Sequence, residues 1–384
     1  MILTSDPSTF HSLPPLPKRL LPNFVKGRKY PPYGLRKIES LTGGIIIPPE
    51  KLELHVKDGT LLGVYANDPL GMSEVSKGLE TVFGEPPGHV ASFREFSEKV
   101  RTLKGRFNLK VVVGGPGSWE LSLNSPDWID VLLVGEAELT LPKILTEESR
   151  GVFFGEKTHK FFPIKAPSAM AEVEVKRKDR KVPLEVVEEE MKVQSTQGMV
   201  NLISDDLFSY GEGLIPLLSL GKKYGKVLFS QITLQSSSEV DLGKVREVLG
   251  LNPKDWRSPV LSEGKGSCTI GELDMKVMGE LNRNFIYPMV YVHEERVPEF
   301  AQFKSIIIPL PTSQRYYEVL YRSWVHNRRV ANLRLGRILD YVLYKNAVTN
   351  GEYIRRLKLR GIHLVNLLLI VLGYLVNELT SPLP

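Results

Sequence analysis

Residues 109–121 read LKVVVGGPGSWEL and residues 129–145 read IDVLLVGEAELTLPKIL. Leu109–Val113 is a β-branched run that stops at Gly114-Gly115-Pro116-Gly117, and Ile129–Val134 is a second that stops at Gly135-Glu136. Both read as strands closed by a turn, and Glu138–Leu145 then reads as a helix. Upstream, Thr60–Ala66 (TLLGVYA) is a buried strand. Ser73–Phe83 is a helix with Ser73 as N-cap, and Phe93–Leu103 is a second helix. Strands alternating with helices at this spacing predict a parallel, doubly wound, Rossmann-like α/β sheet.

The alternation pauses at 150–170, a linker with Pro163 and Pro167, and then restarts. Glu172–Lys176, Val200–Ser204, Val227–Leu234, Pro259–Leu261, Met289–His293 and Ser305–Pro309 read as strands. Leu184–Gln197, Leu214–Tyr224 and Leu242–Leu249 read as helices between them. This series predicts a full or partial (β/α) barrel. From Tyr316 the pattern is helical through Tyr344, with further helix over Tyr353–Leu379. The first fifty residues, including LPPLPKRLLPNF, read as irregular and proline-rich. The expected domains are therefore 1–50, a basic proline-rich lead-in; 51–160, the Rossmann-like sheet; 168–312, the barrel; and 313–384, a basic helical region.

The chain has 384 residues, 42% hydrophobic and 24% charged, which excludes disordered, collagen-like and coiled-coil classes. Its single cysteine, Cys268, excludes an internal disulfide and a cysteine-built zinc or iron–sulfur site. The net charge of +6 is uneven: residues 1–40 carry +5, residues 315–360 carry +8, and the rest carry −7. A basic tail on an acidic body suits a polyanion, either RNA or an anionic membrane surface, and equally suits a solvated helical face. MILTSDPSTF has neither the basic nor the apolar region of a signal peptide. The apolar run Ile362–Val376 is short of the ~20 residues that span a bilayer. A cytoplasmic location is expected.

Three strand-end loops face one crevice in such a sheet, because ligands of open α/β sheets lie at the carboxyl ends of strands. They nominate Asp68, Gly71, Gly114, Gly115, Gly117, Gly135 and Glu136 for cofactor binding; tight turns without a ligand would use the same residues. G-x-G-x-x-G is absent, so this is not the dinucleotide fingerprint. Asp205 and Asp206 follow a barrel strand and could hold a cation or ribose hydroxyls, or serve as a cap and a turn. Glu263 and Gly266 belong to the third candidate, the strand-end loop EGKGSC, whose Cys268 reads as an incidental thiol. The histidines lack metal spacing. Arg322, Arg328, Arg329, Arg334 and Arg337 share a predicted helix with Tyr316, Tyr317, Tyr321 and Trp324, a mixture that suits RNA stacking and phosphate contact or a bundle with a wet face. YIRRLKLR (353–360), ahead of the apolar run, reads as an interfacial membrane anchor or as the start of a buried helix.

NDPLGMSEVSK (67–77), VVVGGPGSWEL (111–121) and DVLLVGEAELTLPKIL (130–145) resemble the cobalamin-binding-like domain that precedes archaeal radical SAM domains. KYPPYGLRKIESL (29–41) is similar to the lead-in of those proteins. EVEVKR (172–177), PLEVVEEEM (183–191), VNLISDDLFSYG (200–211), FSQITLQSSSEVD (229–241) and SPVLSEGKGS (258–267) are similar to successive pieces of the radical SAM barrel. The resemblance covers roughly residues 29–270. It implies a [4Fe–4S] cluster, held by C-x-x-x-C-x-x-C after the first barrel strand, that cleaves S-adenosylmethionine to a radical. Here only Lys178–Pro183 separate that strand from the next helix, and none is cysteine. The D-x-H-x-x-G cobalt-ligand motif of the upstream domain is also missing. The candidate cofactors are cobalamin or S-adenosylmethionine, with no iron–sulfur cluster. The leading expectation is a cluster-less, radical-SAM-like pseudoenzyme that binds or regulates. Two rivals stand beside it. One is a genuine radical SAM enzyme for methyl transfer or C–C bond formation whose loop is missing from this chain. The other is an RNA- or ribosome-binding protein, with an RNA or protein partner held by the basic C-terminal helices.

Overall fold

The computed structural model describes residues 1–12, 30–146, 149–262, 272–312 and 316–331. The chain divides into two compact units, one built mainly from residues 1–200 and one mainly from residues 201 onward.

The first unit holds a six-stranded sheet. Its strands are β1 (Ile2–Ser5), β2 (Ile45–Ile46), β3 (Leu61–Tyr65), β4 (Lys110–Gly114), β5 (Val131–Val134) and β6 (Gly151–Phe154). All pair in parallel, in the spatial order 2-1-3-4-5-6. This is a doubly wound sheet of the flavodoxin-like order, whose switch point lies between β1 and β3. The helices are α1 (Pro7–Phe10), α2 (Tyr33–Thr42), α3 (Leu52–His55), α4 (Glu74–Phe83), α5 (Gly88–Arg106), α6 (Ser118–Ser122) and α7 (Thr140–Thr146).

The uninterrupted valines of β4 are explained by cover on both faces. Val111 and Val113 join the core of Phe93, Phe96, Val100 and Leu103 from α5, while Val112 joins Leu133, Leu141 and Ile144 on the other side.

Helix α2 and the two-residue strand β2 lie inside the lead-in that the sequence predicted as irregular, and two longer strands, β1 and β6, also lie where irregular chain was predicted. β1 sits inside the nominal lead-in and pairs Ile2 with Leu62 and Ser5 with Tyr65. β6 sits at the start of the nominal linker and pairs Val131 with Gly151. Each has only four residues, too few for a period to show. Their ladder partners, not their own patterning, make them strands.

Then follow β7 (Glu172–Glu174), β8 (Lys176–Arg177), β9 (Arg180–Lys181) and α8 (Leu184–Gln194). β8 and β9 form a two-stranded ribbon turned at Lys178-Asp179, with Lys178 at φ 55. The remaining elements are β10 (Met199–Ile203), α9 (Leu214–Tyr224), β11 (Lys226–Phe229), β12 (Gln231–Ile232), α10 (Leu234–Glu239), α11 (Leu242–Leu249), β13 (Val260–Leu261), α12 (Glu272–Arg283), β14 (Met289–Val292), α13 (Val297–Phe300), β15 (Ile306–Pro309) and α14 (Tyr316–Val330). β12, β13, β14 and β15 form a parallel four-stranded sheet in that order.

The predicted strand 227–234 is instead two strands of different sheets, parted at Ser230. Ser230 donates its N–H to Leu202 and accepts from Val260. Thr233 then caps α10 by accepting the Ser236 N–H at 3.1 Å, so Leu234 starts a helix rather than ending a strand. Asn327 of α14 accepts the Ile307 N–H at 2.7 Å and donates to the Ile307 carbonyl at 2.8 Å, which covers the edge of β15. The predicted helices beyond residue 331, including Ile362–Val376, lie outside the described residues. Among the described residues no helix is long and apolar enough to cross a membrane.

Candidate functional site

The carboxyl ends of β1, β3 and β4 meet at the switch point of the first unit. β1 runs into Asp6, β3 into Asp68, and β4 into the glycine loop that starts α6 and carries Glu120. α5 supplies His89 and Ser92, three residues apart on one helical face.

These groups bond to one another. Asp6 is buried; its Oδ2 accepts the Thr9 N–H at 3.1 Å and the Ser92 hydroxyl at 3.0 Å. Asp68 Oδ2 accepts the hydroxyls of Ser73 at 2.8 Å and Ser76 at 2.6 Å, and faces His89 Nε2 at 3.1 Å. Glu120 is 2% exposed and accepts the Leu70 N–H at 2.7 Å. One turn of α5 therefore braces the loops after β1 and β3 together.

The carboxyl groups are driven apart electrostatically. Burial pushes Glu120 up to about 7, and the neighbouring Asp68 carboxylate adds to this. Burial acts on Asp68 too, but hydrogen bonds from His89, Ser76, Ser73 and Glu120 outweigh it and hold the group well below the usual carboxylate range. Asp6 is raised by burial against the hydrogen bonds from Thr9 and Ser92. An ionised Asp68 can only accept, so His89 Nε2 carries the hydrogen toward it. His89 Nδ1 is buried with no hydrogen-bond partner among the described residues.

The candidate glycines divide into two sets. A Cβ on Gly117 would lie 2.1 Å from the Asn67 carbonyl oxygen, and one on Gly115, at φ 112, would lie 2.4 Å from that of Ala66. These two let the loops after β3 and β4 pack on each other, so their approach is to the chain's own backbone. Gly71, at φ 70, similarly approaches Val90. Gly114 is different: the nearest atom to its Cβ position is the Leu133 carbonyl at 3.6 Å. Gly135, at φ 105, has only ordinary contacts with Gly155. Glu136 is engaged by Arg180, whose guanidinium spans both carboxylate oxygens and also donates to the Thr158 carbonyl. Arg180 is 5% exposed.

In the second unit Asp205 and Asp206 diverge in role. The exposed Asp205 accepts the Lys178 N–H at 3.1 Å. Asp206 accepts the hydroxyls of Thr233 at 3.0 Å and Ser236 at 2.8 Å. Each is taken up by a turn or a cap. Glu263, Gly266 and Cys268 lie outside the described residues. Arg322 and Arg329 are exposed on α14, which also carries Arg328. Arg334 and Arg337 lie outside the described residues.

Among the described residues no three His, Cys, Asp or Glu side chains are grouped to hold a metal ion. The donor set does not fit a [4Fe–4S] cluster: it needs cysteine thiolates, and the chain's single cysteine is Cys268. Nor does the crevice offer cobalt a histidine in the expected motif, since Asp68 is followed by Pro69-Leu70-Gly71 and the nearby His89 is turned to Asp68. Sequence reading missed Asp6, His89, Ser92 and Glu120. Only Glu120, inside the quoted 111–121 segment, carried any signal. No protein-family model matches the chain, and no curated protein matches it.

Proposed function

We propose that this chain is a binding or regulatory protein on a radical-SAM-like scaffold, without radical chemistry. Its ligand site would be the switch-point crevice of the first unit. The observation that carries this reading is the ribbon Lys176–Lys181. Where the resemblance calls for a cysteine loop, the chain turns within Lys178-Asp179. Lys178 N is tied to Asp205 and Arg180 to Glu136 on either side of that turn. A connection closed by its own two-residue turn is a finished element, which favours natural loss of the loop over the rival of a genuine enzyme. The unpartnered Nδ1 of His89 favours a ligand with a hydrogen-bonding group at that depth. The (β/α) barrel of the second half belongs to the same proposal, supported by its parallel strands with intervening helices.

The test is anaerobic reconstitution of the full chain with iron and sulfide, followed by calorimetry with S-adenosylmethionine and with cobalamin. The expected result is iron far below stoichiometric and no thiolate–iron absorbance, with binding of one small molecule that weakens in His89→Ala. A loaded cluster that cleaves S-adenosylmethionine would overturn the reading.

A second reading rests on α14. Arg322 and Arg329 are both exposed and lie two helical turns apart, on one face. That face suits an RNA backbone, and the sequence from 332 to 360 is basic as well.

A further inference from the structure

β6 ends the six-stranded sheet with an open edge. Gly151 N donates to the Asp130 carbonyl and Gly155 N to that of Val134, each at 2.8 Å. Strand alternation then turns the backbone N–H and C=O of Val152 and Phe154 away from β5. Among the described residues nothing hydrogen-bonds to these outward groups. The side chains are open too: Val152 is 40% and Phe154 71% exposed, while Phe153 packs on the Leu133, Leu141 and Ile144 cluster. Two other edges are managed. β2 has only two residues, and Asn327 covers β15. β6 (GVFF) carries no lysine, proline or charge of the kind that guards an edge.

This edge complements itself. Antiparallel pairing of two copies about a two-fold axis must set outward-facing residues opposite each other. Centred on Phe153, Val152 of each copy meets Phe154 of the other, and both outward residues of each strand find hydrogen-bond partners. Carried past the ends of β6, the same register brings Arg150 opposite Glu156 at both ends, with side chains 83% and 57% exposed; Arg150 Nε lies 4.0 Å from Asp130 Oδ1 within its own chain. Glu156 already meets Lys143 at 2.9 Å on the surface, and an exposed carboxylate can accept from both. Centring on Val152 instead would put Arg150 against Phe154, and centring on Phe154 would put Val152 against Glu156. Only the Phe153 register matches apolar with apolar and cation with anion.

We propose that two copies of this chain associate through β6, antiparallel about Phe153, joining their sheets into one.

Sedimentation equilibrium of the full chain, from about 1 to about 200 micromolar, tests this. The mass is expected to rise from 43.2 kDa toward twice that value. Val152→Lys is expected to weaken association at least about tenfold by charging the edge. Arg150→Glu sets like charges opposite and does the same. Arg150→Glu combined with Glu156→Arg is expected to restore it to within about threefold. Circular dichroism checks that each variant is folded, and the restoring pair keeps the test decisive if Val152→Lys is not. A mass of 43.2 kDa throughout overturns the proposal. So does a dimer indifferent to both Val152→Lys and the charge reversals, because it would use another surface.

Discussion

Glu120 holds a proton that the unfolded chain gives up. Its carboxyl sits near 7 when folded, against about 4.3 for an ordinary glutamate. The folded state therefore binds more protons between these values, and stability from this group is lost as pH rises through 7. Asp68 is depressed, so its contribution is lost only in acid and does not change over pH 5 to 8. Glu120→Gln keeps an acceptor for Leu70 N and supplies a donor toward Asp68 at every pH. Urea midpoints are expected to match wild type near pH 5 and exceed it at pH 8; a variant less stable at pH 8 refutes the proton assignment. Arg180 makes a second residue-scale case. Removing it leaves the Glu136 carboxylate with the Thr158 N–H but without the guanidinium that spans both its oxygens, so Arg180→Ala is expected to cost about 3–5 kcal/mol in urea unfolding. Arg180→Met with Glu136→Gln should recover part of that, because it removes both charges together. Neither residue was legible beforehand as a pair: Glu136 was nominated for a ligand, and Arg180 lies 44 residues away in sequence.

At the scale of elements, the loops after β3 and β4 are held by contact between backbones. Gly117 has φ −93, which any residue can adopt, so its need for glycine is steric: the Asn67 carbonyl stands 2.1 Å from a Cβ. Gly117→Ala is expected to destabilise by about 2 kcal/mol. Gly114→Ala, with its nearest contact at 3.6 Å, should change stability by less than about 0.5 kcal/mol. Equal costs in thermal unfolding would show that the loop contact is not what selects glycine. The glycine run is read from the sequence as a cofactor loop or as tight turns, and a sequence does not say whether the approaching partner is a ligand or another loop. The ribbon β8–β9 offers a further check. Lys178 sits at φ 55, a left-handed conformation that costs a lysine roughly 1 kcal/mol. Lys178→Gly relieves it and is expected to raise stability by about 0.5–1 kcal/mol while keeping the N–H to Asp205. A loss of stability there would argue against the turn.

Across the whole molecule, charge and cysteine usage bear on function more than any one site. If the RNA reading of α14 and the basic tail holds, affinity for single-stranded RNA must fall steeply with salt, with a log–log slope of several units; a flat response removes it. By itself the sequence determined the parallel α/β character, because buried strands such as Leu109–Val113 and Ile129–Val134 need apolar residues on both faces and helices between them. It also excluded a cysteine-held cluster, because thiolates are countable without a fold. Only the tertiary structure decided the strand order 2-1-3-4-5-6, since β1 and β6 are too short to announce themselves and become strands through their neighbours' hydrogen bonds. It likewise decided which polar residues share the switch point. Asp6, Asp68, His89, Ser92 and Glu120 are scattered over 115 positions of chain and are gathered by strand ends and one turn of α5. Their proton affinities follow from burial and mutual hydrogen bonding, which do not exist until the chain has folded.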